Sequence, residues 1–508
     1  METTITRRSP QQETIRDWAL NETGSARVIA VAGAGKTTTL VDLVKELRGS
    51  VAMVAYNKKI ADELKERIGS DLRNVRAGTF HSFGFGAWRQ AHPKVRVDAD
   101  KVKKICAAMN VREELVVFVT SLVSLAKQRA VGVIEMIDAD APWRDIVAHF
   151  DLDAILTGDK GAVVEDALLE EGITAARAVL RASMTQDPTV IDFDDMIFAP
   201  LAHNARVWAN DWVLVDEAQD TNPCRRAFVK KMLKAGGRAI FVGDPAQAIY
   251  GFTGADNDAL DVIAREFNTI DLPLTVSWRC ARAVVEVARR YSPLIEASEM
   301  APEGSATTMD EGTFVKEAFT ADDAILCRNT KPLVENAFRL IRRGVACHVE
   351  GRDLGAGLVV LVKRWKKAKT VADVMERVAD WSAKEVEKLL AKGQEMKAER
   401  ITDKADTLRV IAEACDPDAA KETMVTKING LFGDNVPNLT LSTIHKAKGR
   451  EWAKVYWLGA NRYQPSPFAR QAWQFVQETN LMYVAATRAK RDLIEVRVPL
   501  PTRRGGAQ

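Results

Sequence analysis

Apolar residues in this chain fall into short runs separated by stretches with helical spacing. RVIAV at Arg27–Val31 predicts a buried strand, followed by a glycine-rich turn and a helix over Thr38–Leu47. VAMVA at Val51–Ala55 predicts a second strand and Lys58–Ile68 a second helix. An uninterrupted run of about five apolar residues between turn signals suits a strand covered on both faces, and strand–helix alternation predicts a parallel sheet. Residues 100–190 change character: KVKKICAAMN, VREELVVFVTSLVSLAKQ and EDALLEEGITAARAVLRAS read as helices with little strand signal. Strand patterns return at Trp212–Val215 and Arg238–Val242. Residues 275–350 are α/β again, with AILC and ACHVE as strands, and 356–435 are charged and helical. Leu439–Thr443 and Lys454–Leu458 predict two last strands, followed by a helix over Gln477–Lys490. The pattern is two α/β units, each interrupted by a helical insertion, with PTRRGGAQ as a loose tail.

Composition narrows the class. With 508 residues the chain has room for several cores. Hydrophobic residues make up 47% and charged residues 28%, which excludes a disordered, collagen-like or disulfide-scaffold protein. The longest apolar runs, such as Val51–Ala55 and Leu358–Val362, fall far short of the ~18–20 residues of a membrane span. Met1–Pro10 is polar, without the apolar core of a secretory signal. The formal charge of +3 gives no global basic field, so a nucleic-acid partner would need local basic surface. Six cysteines form no C-x-x-C pair and six histidines are scattered, so a redox or metal cluster is not expected and the thiols read as reduced, in a cytoplasm.

The first chemistry appears at AVAGAGKT, Ala30–Thr37, between a predicted strand and a predicted helix. Backbone N–H groups of such a loop (Ala32, Gly33, Ala34, Gly35) cradle phosphate oxygens, and the helix N-terminus adds partial positive charge. Lys36 would reach the outer phosphates and the Thr37 hydroxyl would ligate Mg²⁺. Ala30 stands where the general G-x-x-x-x-G-K-[ST] pattern has its first glycine. VLVDEAQD at Val213–Asp220 supplies the acidic half: Asp216 for Mg²⁺, Glu217 to orient and deprotonate the attacking water. This reading requires the two strands to be neighbours. Together the motifs predict a Mg²⁺-dependent hydrolase of nucleoside triphosphates.

Further motifs follow in order. They are SPQQ (Ser9–Gln12), AYNKKIADELKER (Ala55–Arg67), GTFHSFG (Gly78–Gly84), DFDDM (Asp192–Met196), GDPAQAIYGFTGA (Gly243–Ala255), VSWRC (Val276–Cys280), STIHKAKGREW (Ser442–Trp452) and YVAATRAK (Tyr483–Lys490). This series resembles the UvrD/Rep family of superfamily 1 helicases, in particular its compact members related to the F-box DNA helicase. The resemblance implies two RecA-like parallel-sheet motor domains with ATP in the cleft between them, each with a helical inserted subdomain. It places the first motor at 1–88 and 190–272 with an insertion at 89–189. The second motor falls at 273–355 and 436–508 with a reduced insertion at 356–435. By the same resemblance Gln12 reads adenine, Gln247 senses the γ-phosphate or water, Glu451 contacts ribose, and Arg279 and Arg488 reach the phosphates from the second motor. Arginine suits that task because its planar fork grips phosphate oxygens bidentately. Relatives sandwich adenine between an arginine after the P-loop threonine and an aromatic in N-Y-R-S. Those positions are Thr38 and Trp278 here, which implies one-sided stacking unless Trp278 is core.

The resemblance also implies single-stranded DNA and duplex junctions as partners, gripped by Tyr56, Asn57, Thr79, Phe80, His81, Tyr250, Phe252, Thr443, His445 and Lys446. Aromatic stacking gives a sequence-tolerant grip because every base has a π-face. Core packing is the alternative for Phe80 and Tyr250, and Thr253 replaces a basic residue common in relatives. VKRWKKAK at Val362–Lys369 reads either as a DNA-backbone contact or as a solvated helix face with Trp365 turned inward. The expected activity is an ATP-dependent, monomeric 3′→5′ DNA helicase, in the cytoplasm or, if viral, a host cytoplasm. The alternatives are a DNA-stimulated ATPase that translocates or strips proteins with little unwinding, and a nucleotide-gated DNA-binding factor.

Overall fold

The computed structural model describes residues 8–69, 71–150, 152, 154–157, 166–249, 251, 258–390, 395–432, 439–467, 469 and 471–500. The chain divides into two compact units, Met1–Thr275 and Val276–Gln508.

The first unit is built on a six-stranded sheet. Its strands are β1 (Ser25–Ala30), β2 (Val51–Ala55), β3 (Val75–Thr79), β4 (Asn210–Val215), β5 (Leu233–Gly243) and β6 (Thr269–Leu274). They lie in the order β3-β2-β4-β5-β1-β6 and every pairing is parallel. All five residues of β2 are buried, as a central strand of a parallel sheet covered on both faces should be. The two edge strands have no such run: VRAGT buries one residue and TIDLPL two. Pro273 is tolerated in β6 because an edge strand has one row of ladder groups to spare. β6 is pinned by Arg27 of β1, whose Nε donates to Asp271 at 2.8 Å and whose Nη2 meets the other oxygen at 2.5 Å, while Nη1 pairs with Asp261.

Between β3 and β4 the chain forms helices at Lys101–Ala108, Glu113–Gln128, Ala141–His149, Ala154–Thr157 and Asp166–Thr185. Their apolar faces, including Phe118, Leu122, Trp143 and Val179, continue into the core beside the sheet. The helix Glu113–Gln128 is fastened to the segment Asp192–Asp195 by an ionic lock. Lys127, 0% exposed, places Nζ 2.6 Å from Asp192 and 2.7 Å from Asp195. Lys101 reaches Asp195 at 2.6 Å and the Ser183 carbonyl at 2.8 Å. Burial alone would push the Lys127 ammonium down, but the two aspartates outweigh it and hold its pKa above the ordinary value.

The second unit carries another all-parallel sheet, made of β7 (Ser305–Asp310), β8 (Asp323–Cys327), β9 (Cys347–Val349), β10 (Leu439–Thr443), β11 (Trp452–Leu458) and β12 (Ala489–Arg497). The order is β7-β12-β11-β8-β10-β9. Helices Val371–Leu390, Glu395–Glu413 and Glu422–Leu431 cover its core. The helix expected over Gln477–Lys490 instead spans Ala472–Ala486, and Ala489 already belongs to β12. The correction has a plain cause: the apolar positions of DLIEVRV alternate, and β12 pairs on both sides, with β7 and β11. Trp365 packs against Trp381 at 6.2 Å between ring centres, which turns it into the core. No helix among the described residues is long and apolar enough to cross a membrane.

Replacing Lys127 by alanine leaves the buried Asp192 without its cation and Asp195 with Lys101 alone. The expected loss is about 3–5 kcal/mol of unfolding free energy, read as a lowered denaturant midpoint. An unchanged midpoint would show that the lock contributes nothing.

Candidate nucleotide site and nucleic-acid face

Three loops leave the same edge of the first sheet, after β1, β4 and β5. The loop after β1 turns through Gly33 (φ 73°) and Gly35 (φ 83°) into the helix Lys36–Val44. Both angles are left-handed, a conformation that penalises a Cβ. Ala30 is still in β1, opposite Leu274, so nothing at that position requires glycine. β1 and β4 are not neighbours, contrary to the requirement read from sequence, because β5 lies between them. The gap of two strand spacings, roughly 10 Å, is closed by side chains. Thr37 Oγ1 donates to Asp216 Oδ2 at 2.9 Å, and Lys36 Nζ lies 4.0 Å from Glu217 Oε1.

Asp216 is 2% exposed. Burial first, and the Glu217 anion second, push its carboxyl up to about 6, against the pull of Lys36 and the Thr37 hydroxyl. Glu217 itself sits at φ 54°, ψ 44°. A non-glycine residue held there costs on the order of 1–3 kcal/mol, which the surrounding contacts must offset. One contact is Gln219. Its Nε2 donates to Glu217 Oε2 at 2.5 Å, and its Oε1 accepts from the Asp244 amide at 3.0 Å. Gly243 makes room: a Cβ there would stand 2.6 Å from Gln219 Oε1. Asp244 in turn accepts from Gln247 Nε2 at 2.6 Å, and burial pushes its carboxyl up while Lys36 opposes. A chain of hydrogen bonds therefore runs from Glu217 through Gln219 to the Asp244 backbone amide, and from the Asp244 carboxylate to Gln247. Sequence reasoning missed Gln219 and Asp244, although Gln219 stands two residues beyond Glu217.

Gln12 donates from Nε2 to Thr39 Oγ1 at 3.0 Å, and its Oε1 accepts the Ser9 amide in a capping box. Its neighbour Gln11 grips Thr275, donating to the hydroxyl and accepting from the amide, both at 2.9 Å. The Thr38 hydroxyl accepts from Arg67 Nη2 at 2.9 Å, so a guanidinium does stand beside this position, supplied by another helix.

In the second unit, Trp278 is 51% exposed and is not core. Arg279 pairs with Glu451, which also meets Lys490 at 2.9 Å. Burial raises the Glu451 pKa, but Arg279 and Lys490 win and hold it below the ordinary value. Arg488 is 1% exposed and donates to the carbonyls of Val484 and Arg450 at 3.0 and 3.2 Å.

Of the strand-gripping candidates, Tyr56 is half-buried, while Asn57 and Thr79 cap the helices Lys58–Ile68 and Phe80–Ala91. Phe80 is corrected: at 3% exposure it is core, because the first turn of its helix faces the sheet. Arg225, unforeseen from sequence, lies over the rings of Tyr56 (5.2 Å) and Phe80 (5.8 Å). Burial, aided by Arg225, pushes the His81 imidazole down to about 4. Burial also pushes His445 down to about 3, with Arg328 and Arg400 adding to it, although part of the residue reaches solvent. Thr443 and Lys446 are partly exposed beside it. Tyr250, Phe252 and Thr253 lie outside the described residues.

The arrangement is suited to phosphoanhydride hydrolysis, with a lysine and a hydroxyl on the phosphate side and a held glutamate on the water side. Gln219→Ala should lower the turnover number for ATP about 10²-fold through misplacement of Glu217, with little change in KM. Steady-state kinetics reads both, and a KM effect alone would refute the positioning role.

Comparison with known proteins agrees with this geometry. The UvrD/REP helicase N-terminal domain matches residues 11–268, and the UvrD-like helicase C-terminal domain matches residues 281–496. The chain is 28% identical to the ATP-dependent DNA helicase Rep of Escherichia coli over 297 residues, covering 52% of this chain and 41% of that protein. It is 25% identical to F-box DNA helicase 1 of Gallus gallus over 518 residues, 95% of this chain and 48% of the other. It is 24% identical to the ATP-dependent DNA helicase UvrD2 of Mycobacterium tuberculosis over 561 residues, 94% of this chain and 77% of the other. The chain thus spans less than half the length of Rep and of the F-box helicase. With both domains matched in order around this site, the chain belongs to the UvrD-like helicase family.

Proposed function

We propose that the chain is an ATP-dependent DNA helicase and single-strand translocase that moves 3′→5′ and acts as a monomer on DNA in the cytoplasm. The observation that carries this reading is the meeting of Thr37 with Asp216, and of Lys36 with Glu217, across an intervening strand. Lys36 binds the outer phosphates. Glu217, held by Gln219, orients the attacking water and takes its proton. Gln247 reports on the same region through Asp244. Arg279 and Arg488, carried by the second unit, supply charge that stabilises the transferring phosphoryl group, a contribution of ~10³–10⁵ in rate for arginine fingers. Trp278 offers an exposed face to adenine, and Arg67 stands beside Thr38.

The donors fit a magnesium ion. A hydroxyl and a buried carboxylate, the latter next to a second anion, form an oxygen site that gains from a hard cation and leaves the remaining positions to water and phosphate. When bound, the ion would neutralise charge on the phosphate oxygens. The pH dependence follows. The Asp216 carboxyl rises in the fold from 3.8 to about 6, so the fold holds that proton more tightly than the unfolded chain does. Without the ion, this site's share of stability falls as pH rises from about 4 to 6, and the penalty is complete above 6. Magnesium should therefore raise the melting temperature more at pH 8 than at pH 5. Asp216→Asn should remove the difference, and equal shifts at both pH values would count against the site.

The reading as a translocase that strips proteins but unwinds poorly draws on the short stretch between Cys280 and Ser442, where large relatives carry a longer insertion. Duplexes with a 3′ or a 5′ single-stranded tail separate the two. Strand release on the 3′-tailed substrate alone is expected, and DNA-stimulated ATP turnover without release favours the second reading. Lys36→Ala should abolish turnover and spare most DNA binding. Turnover that DNA fails to stimulate would reject both.

A further inference from the structure

The helical insertion of the second unit does not stand apart from its sheet. Ala405, Leu408 and Ile411 of the helix Glu395–Glu413 are buried in one core with Leu333 and Leu340 of the helix Thr330–Arg342 and with Leu441 of β10. The inserted helix also closes the start of Thr330–Arg342. The N-cap there, Asn329, makes no side-chain capping bond of its own, and Asp403 takes that task. Its Oδ2 accepts from the Thr330 amide at 3.3 Å and its Oδ1 from the Lys331 amide at 2.9 Å. Asp406, one turn on, meets Lys331 Nζ at 3.2 Å. A carboxylate on the orphan N–H donors of a helix start is a favourable, directional contact. The helix Glu395–Glu413 is therefore fixed in register against the segment that leaves β8.

That segment adjoins the residues assigned above to the single strand, and the inference rests on that assignment. Cys327 pairs with Thr443 in register, and the Ile444 amide donates to the Cys327 carbonyl at 3.0 Å, so the loops after β8 and β10 leave side by side. Arg328 follows β8, and His445 and Lys446 follow Thr443 at the end of β10. Arg328 is committed inward: its Nε and Nη2 donate to Glu478 Oε1 at 3.0 and 2.9 Å, and Glu478 is 5% exposed. Arg400 lies three residues before Asp403, hence on the same side of its helix, and it is exposed. Its charge acts on the His445 imidazole together with that of Arg328, which sets it beside this pair of loops. We infer that Arg400 is a phosphate contact for the single strand, and that the insertion is a fixed wall of the strand's track. The planar guanidinium suits a phosphodiester, whose oxygens its fork can meet in pairs. A phosphate contact carries no sequence information, so it adds grip without disturbing stacking that tolerates every base. It also supplies local basic surface that a net charge of +3 does not provide.

The test is fluorescence anisotropy with oligo-dT, an abasic oligomer of equal length and a blunt duplex, at salt from about 0.05 to 0.2 M. It compares the full chain with Arg400→Ala, Arg400→Lys and Arg409→Ala. In Arg400→Ala the slope of log affinity against log salt on oligo-dT should become shallower by about 0.7, the loss of one single-strand phosphate, with affinity about fivefold lower at about 0.1 M salt. The abasic oligomer should show the same change. Arg400→Lys keeps the charge and should restore the slope. Arg409→Ala removes a guanidinium from the same helix, one that donates to Asp406 at 2.5 Å, and should keep the wild-type slope. The melting midpoint of Arg400→Ala should match the wild type, because the side chain is exposed. A wild-type slope in Arg400→Ala on oligo-dT overturns the inference, as does a change seen on the blunt duplex alone. A loss on oligo-dT that spares the abasic oligomer overturns it too, since it assigns a base contact. Failure of the wild-type chain to bind any of the three would overturn the helicase reading itself.

Discussion

A buried carboxylate next to a second carboxylate, with one lysine near both, is the constraint around which the first unit is organised. Asp216 cannot be ionised there cheaply, and its raised pKa records the strain. The parallel sheet makes the arrangement feasible. With all six strands running the same way, the loops after β1, β4 and β5 emerge at one edge. Each brings a different chemistry: backbone amides and cations from the first, carboxylates from the second, and the Gln247 amide from the third. The ionic lock of Lys127, the salt bridge of Arg27 and the tight approach of Gly243 to Gln219 all hold neighbouring parts of that frame.

Much of this was legible in the chain, and the parts that were not share a cause. The strand β2, covered on both faces, announces itself as an apolar run and was placed to the residue, as was β10, where LTLST alternates apolar and polar positions. Three of the four edge strands do not announce themselves, β9 being the exception. VRAGT, TIDLPL and SATTMD leave one side to solvent and carry polar residues there, so no pattern separated them from loops. The helix near the C-terminus was drawn too long because ATRAK favours a helix locally, whereas pairing with β7 and β11 decides for a strand from Ala489 onward. Tertiary context likewise turned Phe80 inward.

At the site, motif spacing identified Lys36, Thr37, Asp216 and Glu217, whose mutual distances then followed from sheet order. It could not identify Gln219 or Arg225, since their importance lies in which backbone groups and rings they meet. Nor could it foresee that Arg67 would supply a guanidinium at Thr38 from a different helix. In the second unit, Arg488 is almost fully enclosed yet donates to two carbonyls, so its charge is held in a fixed direction and not spread over the surface.

Gln11 and Gln12 occupy adjacent positions on one helical turn. One clasps Thr275, the final residue before the second unit; the other touches Thr39 in the helix that follows the phosphate loop. A shift of that turn by a fraction of an ångström disturbs both grips at once. The last residue of the first unit is therefore held by the same short stretch that touches the helix Lys36–Val44, as one clasp might close two straps.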